Sequence, residues 1–365
     1  MGWIGISNLH RATFDTRGVG TGQPALHGPD PQPSGLMARG SLVLEVTYAA
    51  QGRIPQRLLR LDRTQDWHRH LGLTLLADGV LILTQCQGTA QHQTRMVMPI
   101  PQRETRLRIT FSWDAPARRG LISVENLDQE TLHQREVISP LPLPIEDGRD
   151  IILGAEATRF GRELRWVALS DRVEPVGLSL GVARGTPVDT PYGLRLVEQL
   201  RPGDLVTTAH GSQPIRWITA REVPALGGLR PVLLRAPYYG LSRDILVAPD
   251  HRIVVKGAEA EYLFGEDEVL VEAHHMIDGQ AIRRGPGGAG TLWYHHLLLD
   301  GHECLRFAGL WGESMFLGDI GRDADLIATT ALADMPAHAL PRHKRFAQPT
   351  LSSYEARTLA SSLVA

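Results

Sequence analysis

The chain has 365 residues, 42% of them apolar, which is long for one domain, comfortable for two, and enough to bury a core in each. Thirty-eight basic against 40 acidic side chains leave a formal charge of −2, so no global field recruits nucleic acid or an anionic membrane surface. The two cysteines, Cys86 and Cys304, lie far apart and outside any C-x-x-C spacing, which argues against a disulfide framework and against a thiolate zinc site.

The amino end, "MGWIGISNLHRATFDTRG", lacks a basic start followed by a sustained apolar run. No cleaved signal peptide is expected there, and residues 1–35 read as an extended leader. Nowhere do about eighteen apolar residues run together, so no helix is expected to span a membrane.

From residue 36 the sequence alternates with the two-residue period of half-buried strands. In "SLVLEVTY" Leu42, Leu44, Val46 and Tyr48 share a face. "LGLTLLADGVLILT" places Asp78-Gly79 between two apolar runs, a dipeptide that suits a two-residue hairpin with positive φ at both central positions. "RLRITFSW" sets Leu107, Ile109, Phe111 and Trp113 on one side and Arg106, Arg108, Thr110 and Ser112 on the other. Many short strands with little helical periodicity predict an all-β sandwich over residues 36–172. The order "FSWDAP", "LISVENLD", "WVALSD" resembles a laminin-G or concanavalin-like jelly roll. That resemblance implies a glycan- or surface-binding module, and in some members a glycosidase.

A retaining glycosidase needs two carboxylates on one strand face. "ENLDQE" instead puts Glu125 and Asp128 three apart, on opposite faces of a strand, with Glu130 two further on, so a solvated acidic turn is the expected reading. The cluster "DWHRHLG" offers Trp67, His68 and His70 as a sugar-stacking loop, or else a strand end whose Trp67 is buried.

The second half holds "GTPVDTPYG", "VEQLRPGDLVTT", "QPIRWI", "APDHRIVV", "YHHLLLDGHE" and "GLWGESM" in that order. The series resembles the Hint domain of hedgehog autoprocessing regions and inteins, in the form of bacterial Hint-domain proteins, over residues 179–320. Turn signals such as "PGD" and "HG" between short apolar runs agree as to class.

The resemblance implies self-cleavage by an acyl shift, started by a thiol or hydroxyl on the first residue of the domain. Family members open with Cys four residues before the Gly-Thr that matches Gly185-Thr186; the corresponding position here is Gly181, which has no attacking group. The family's Thr/Ser-x-x-His block, which protonates the departing amide, corresponds to "APDH": His251 is kept, and Ala248 replaces the hydroxyl. His296, in the "HLL" strand, is implied to face the former cleavage centre. Ser179 is a displaced nucleophile or a linker residue, and Cys304 is expected to be a packed thiol.

These residues imply a degenerate, cleavage-defective member of the self-processing family, in which a Gly181→Cys, Ala248→Thr pair partly restores cleavage. The alternatives are a lectin-like module on an inert Hint scaffold and a jelly-roll glycosidase. No cofactor is called for, and no metal site is assigned, because adjacent histidines such as His274-His275 and His295-His296, read as strand residues, point to opposite faces; His275, His296 and His302 leave the question open. Residues 321–365 form a tail ending in a helix, "LSSYEARTLASSLVA", capped by Ser352 or Ser353 with Leu359, Leu363 and Val364 as its apolar edge. The tail docks on the domain or acts as an uncleaved export signal, and the chain is otherwise cytoplasmic.

Overall fold

The computed structural model describes residues 2–20, 35–48, 55–65, 67–99, 103–288 and 290–364. Two compact units divide the chain, one of Met1–Val176 with Gly288–Thr291 and the other of Gly177–Gly287 and Leu292–Ala365. No helix is long and apolar enough to cross a membrane.

The first unit is a sandwich of two antiparallel sheets. A seven-stranded sheet runs in the order Thr131–Ile138, Arg119–Asn126, Thr105–Asp114, Arg39–Tyr48, Leu164–Ser170, Trp3–Ser7, Ala12–Phe14. A five-stranded sheet runs Thr158–Phe160, Gln56–Arg63, Arg69–Leu75, Val80–Gln87, Ala90–Val97. The alternating faces Leu42/Leu44/Val46/Tyr48 and Leu107/Ile109/Phe111/Trp113 meet Leu59, Leu61, Leu71, Leu73, Leu81 and Leu83 in one core. Each of these fully buried large side chains contributes roughly 1.5–3 kcal/mol by leaving water.

The structure differs from the sequence reading at the amino end. Residues 3–14 are no leader: Trp3–Ser7 pairs antiparallel with Leu164–Ser170 and with Ala12–Phe14, and all five of its residues are buried. A five-residue strand covered on both faces shows no alternation, so nothing in its pattern announces it. The Asp78-Gly79 hairpin forms, but only Gly79 has positive φ, at 81°. Leu76 N–H donates to Val80 O and Gly79 N–H to Leu76 O, a three-residue loop closed by a left-handed glycine instead of a two-residue turn.

In the second unit a six-stranded sheet runs Trp217–Pro224, Thr291–Leu298, Val182–Ala183, Ile245–Val247, Val232–Leu234, Ile282–Arg284. Another runs Gly193–Leu196, Pro187–Thr190, Cys304–Phe307, Leu310–Glu313, Arg252–Lys256, Glu268–Glu272, with the Leu205–Thr208/Gly211–Pro214 hairpin attached to Cys304–Phe307. Apolar residues of both sheets share one core with Ala356 and Leu359 of the terminal helix Ser353–Val364. The tail is thus part of this unit. Leu270 N–H donates to Pro349 O, Leu351 N–H donates to Leu270 O, and Phe346 and Ala347 pack on Val254, Leu270 and Cys304. Ser352 and Glu355 cap the helix reciprocally, through Ser352 N–H to Glu355 Oε2 at 2.8 Å and Glu355 N–H to Ser352 Oγ at 3.4 Å. Its inward residues are Ala356 and Leu359, whereas Leu363 is exposed.

Candidate functional site

Four positions singled out in the sequence, Gly181, Ala248, His251 and His296, converge in the second unit. The two-residue strand Val182–Ala183 lies between Ile245–Val247 and Thr291–Leu298, with Val182 opposite both Val247 and His295. Just before it, Gly181 O accepts from Ala248 N–H at 2.8 Å. The chain then turns through Pro249 and Asp250, and His251 N–H returns to Ala248 O at 3.1 Å. That turn aims His251 inward, where its ring meets the edge of His296 and Phe307, centroids 5.6 Å away in each case. His296 Nδ1 is 3.1 Å from Ser179 O, so Nδ1–H donates to the carbonyl of the segment that leads into the Val182–Ala183 strand.

Gly181 has φ +80°, in the left-handed region that side chains seldom adopt. A Cβ there would overlap the His295 carbonyl oxygen and lie 2.8 Å from His296 Cγ and 2.9 Å from its Cβ. Gly185, at φ +87°, has open space around the same direction. The space a nucleophile's side chain would need at residue 181 is filled.

A residue the sequence reading did not single out completes the cluster. Glu313 ends the Leu310–Glu313 strand, fully buried; its Oε1 accepts from Arg252 N–H at 3.0 Å, while Oε2 lies 3.4 Å from Arg252 Nη1 and 3.5 Å from His302 Nε2. The signal was the acid inside "GLWGESM", because a carboxylate in an apolar strand is retained only with partners. Those partners, Arg252 and His302, are brought to it by the fold.

Burial drives His251 down to about 3, against the opposing pull of Glu313, and lowers His296 in the same way. Burial works to raise Glu313, but Arg252, His302 and the other imidazoles outweigh it and hold the carboxyl down to about 2. At neutral pH His251 is therefore neutral and Glu313 ionised. The unfolded chain takes up protons on these histidines below about 6.5 while the folded chain resists, so stability is present at neutral pH and falls as pH drops from about 6.5 toward 3. Protonation of Glu313 below its unfolded value near 4.5 adds to the loss. The expected result is a second-unit melting temperature that declines steeply between pH 6.5 and 4, with a shallower slope in His251→Asn; equal slopes would refute the assignment.

Ser179 Oγ is buried with no hydrogen-bond partner, so no base among the described residues activates it. Burial, with Glu313 adding to it, pushes the Cys304 thiol up to about 12, which leaves it a packed apolar group. His302 packs its ring edge against Phe316 and Phe346. His274 and His275 correct the strand argument: they sit in a 3-10 turn, Ala273–Met276, with rings 3.8 Å apart, and both approach Glu272. A tight helical turn does not send neighbours to opposite faces as a strand does. His295, by contrast, lies in a strand, where burial lowers its pKa against the opposing pull of Glu198.

In the first unit Trp67 is 42% exposed, with the Arg69 guanidinium 5.2 Å from the ring centroid. Arg69 is itself buried, its Nε 2.9 Å from Asp147 Oδ2 and its Nη2 on Glu146, both on the helix Ile145–Leu153. His68 and His70 turn to Asp62 Oδ1, at 3.3 and 3.6 Å. Among the acids, Glu125 faces Arg108 at 3.5 Å within the Arg119–Asn126 strand. Asp128 lies beyond that strand's end, in the turn before Thr131–Ile138, where it accepts from Arg106 Nη2 at 2.9 Å, so the two are not opposite faces of one strand.

Residues 180–319 match the family model described as Hint domain. No curated protein matches the chain. Among solved structures, the CBM40 module of the Ruminococcus gnavus IT-sialidase bound to alpha2,6 sialyllactose is 12% identical, over 36% of this chain and 75% of that one, with a TM-score of 0.26. A bacterial intein-like domain from Clostridium thermocellum is 14% identical, over 37% and 97%, with a TM-score of 0.25. Chicken galectin 2 is 9% identical, over 36% and 80%, with a TM-score of 0.20.

Proposed function

Since residues 180–319 form a Hint domain, we propose that this domain is a cleavage-incompetent scaffold, covalently joined to a glycan-binding jelly roll. The acyl shift needs a side-chain heteroatom at the first residue, and Gly181 supplies none. The observation that carries the reading is the filled direction at that position, occupied by the His295 carbonyl and the His296 ring. The backbone there is adapted to a glycine. Ala248 offers only its N–H, which Gly181 O already takes. His251, held down to about 3 by burial, carries almost no proton to give a departing amide near neutral pH. A chain tagged at both ends and expressed in full should remain one species bearing both tags; two singly tagged fragments would sink the reading.

For the jelly roll, Trp67 favours a glycan as ligand. A half-exposed indole, steadied by a guanidinium that is itself clamped by Asp147, is a rigid apolar platform of the kind that stacks on sugar rings. Trp67→Ala should abolish retention on immobilised glycans, sialyllactose among the panel, without lowering the unfolding free energy by more than about 1 kcal/mol, as for a surface change. Unchanged retention would remove Trp67 from the site.

A further inference from the structure

We propose that His251, His296 and Glu313 form a buried binding site for a divalent transition metal, zinc fitting best. One ligand atom from each lies within 4.8 Å of the other two. Ligands around a tetrahedral zinc at 2.0–2.1 Å are about 3.3 Å apart, so small rotations of two imidazoles and a carboxylate close the site.

The independent observation is that three of the four nitrogens in these two buried rings have no hydrogen-bond partner. His251 is 1% exposed and His296 2%, yet both ring nitrogens of His251 and Nε2 of His296 have no hydrogen-bond partner. Three such atoms in two touching rings are far from the usual pairing of buried polar groups, each of which is costly to leave unpaired. A metal uses the lone pairs that the protein leaves over. His296 is already set as a ligand is set: Nδ1–H donates to Ser179 O at 3.1 Å, which fixes the tautomer that leaves the Nε2 lone pair free.

Arg252 opposes a cation and engages both Glu313 oxygens, Oε1 through its backbone N–H at 3.0 Å and Oε2 through Nη1 at 3.4 Å, but its guanidinium is shared with Glu272, also at 3.4 Å, and each carboxylate oxygen has a second lone pair to give. Two imidazoles and one carboxylate suit zinc, and copper or nickel, better than calcium or magnesium. The three ligands come from a turn, a strand and a strand end that are distant in sequence, so the metal would staple the second unit across both its sheets.

The test is titration of the chelator-stripped full-length chain with Co²⁺, followed by displacement with Zn²⁺. One equivalent of cobalt should bind with the visible bands of a four-coordinate centre, and zinc should displace it. His296→Asn and His251→Asn should each weaken binding about a hundredfold or more, while His274→Asn/His275→Asn should leave it unchanged. Where either ligand variant does not fold, X-ray absorption of the zinc form of His274→Asn/His275→Asn decides, since two imidazole ligands must remain. A folded wild-type chain that binds no zinc, binding lost with His274 and His275, or a zinc centre holding fewer than two imidazoles in that variant would each overturn the proposal.

Discussion

Gly181→Cys together with Ala248→Thr should yield a less stable chain that still does not cleave. The sequence alone invites the opposite expectation, since the pair returns the two missing heteroatoms. The structure reverses it. At φ +80° any side chain carries the strain of the left-handed region, about 1–2 kcal/mol, and its Cβ must also push aside a backbone carbonyl and the His296 ring, roughly 1–3 kcal/mol more. Threonine at the fully buried Ala248 adds an overpacking cost of its own. Gly181→Ala isolates the first effect, at roughly 3 kcal/mol, or about 6–12 °C in melting temperature for a unit of this size. Gly185→Ala is the internal control: φ is similar but the space is open, so only the strain of about 1–2 kcal/mol applies. Equal losses for the two alanine variants would show that the crowding at Gly181 has no energetic weight, and cleavage by the Cys/Thr pair would show that the strand readily shifts.

Arg69→Met should destabilise the first unit by about 3–5 kcal/mol, because it leaves a carboxylate buried with most of its compensation gone. Arg69 and Asp147 are 3% and 2% exposed, and the Arg69 Nε–H is shared between the two Asp147 oxygens, 2.9 Å from Oδ2 and 3.2 Å from Oδ1. Burial holds the Asp147 carboxyl above the ordinary range even against Arg69 and Arg63. The pair therefore sits where desolvation and pairing nearly cancel, and loss of one guanidinium tips it. Arg63 Nη1, 3.4 Å from Asp147 Oδ1, covers a part of the deficit. Adding Asp147→Asn should recover more than half of the loss, and so should lowering the pH, since a protonated Asp147 no longer needs its partner. An unfolding free energy that changes by less than about 1 kcal/mol in Arg69→Met would place the pair among those that contribute nothing measurable.

Which parts of this molecule could be read from the sequence follows from the range over which each signal acts. The Leu107–Trp113 alternation was legible because one face is core and the period of two is unbroken over seven residues. The Trp3–Ser7 strand was not, since both of its faces are covered and no turn signal joins it to Leu164–Ser170, more than 150 residues away. The helix cap at Ser352 was legible from Glu355 three residues later, and of the expected apolar edge Leu359 is in the core, joined there by Ala356, whereas Leu363 is exposed. In the site, Gly181, Ala248 and His251 were found through the order of phrases around them. Glu313 was hidden because its meaning comes from Arg252, 61 positions earlier, and His302, which only the fold brings near. That Gly181 is crowded, and is not merely missing a side chain, depends on the path of the Thr291–Leu298 strand and could not be seen in the sequence at all.

The central claim, a Hint domain that keeps its scaffold without its cleavage, is tested most directly by the intact mass of the unmodified full-length chain after prolonged incubation with excess thiol at neutral pH. The account predicts a single species of 40.2 kDa throughout. A fragment ending at Leu180, with the complementary fragment beginning at Gly181, would contradict it.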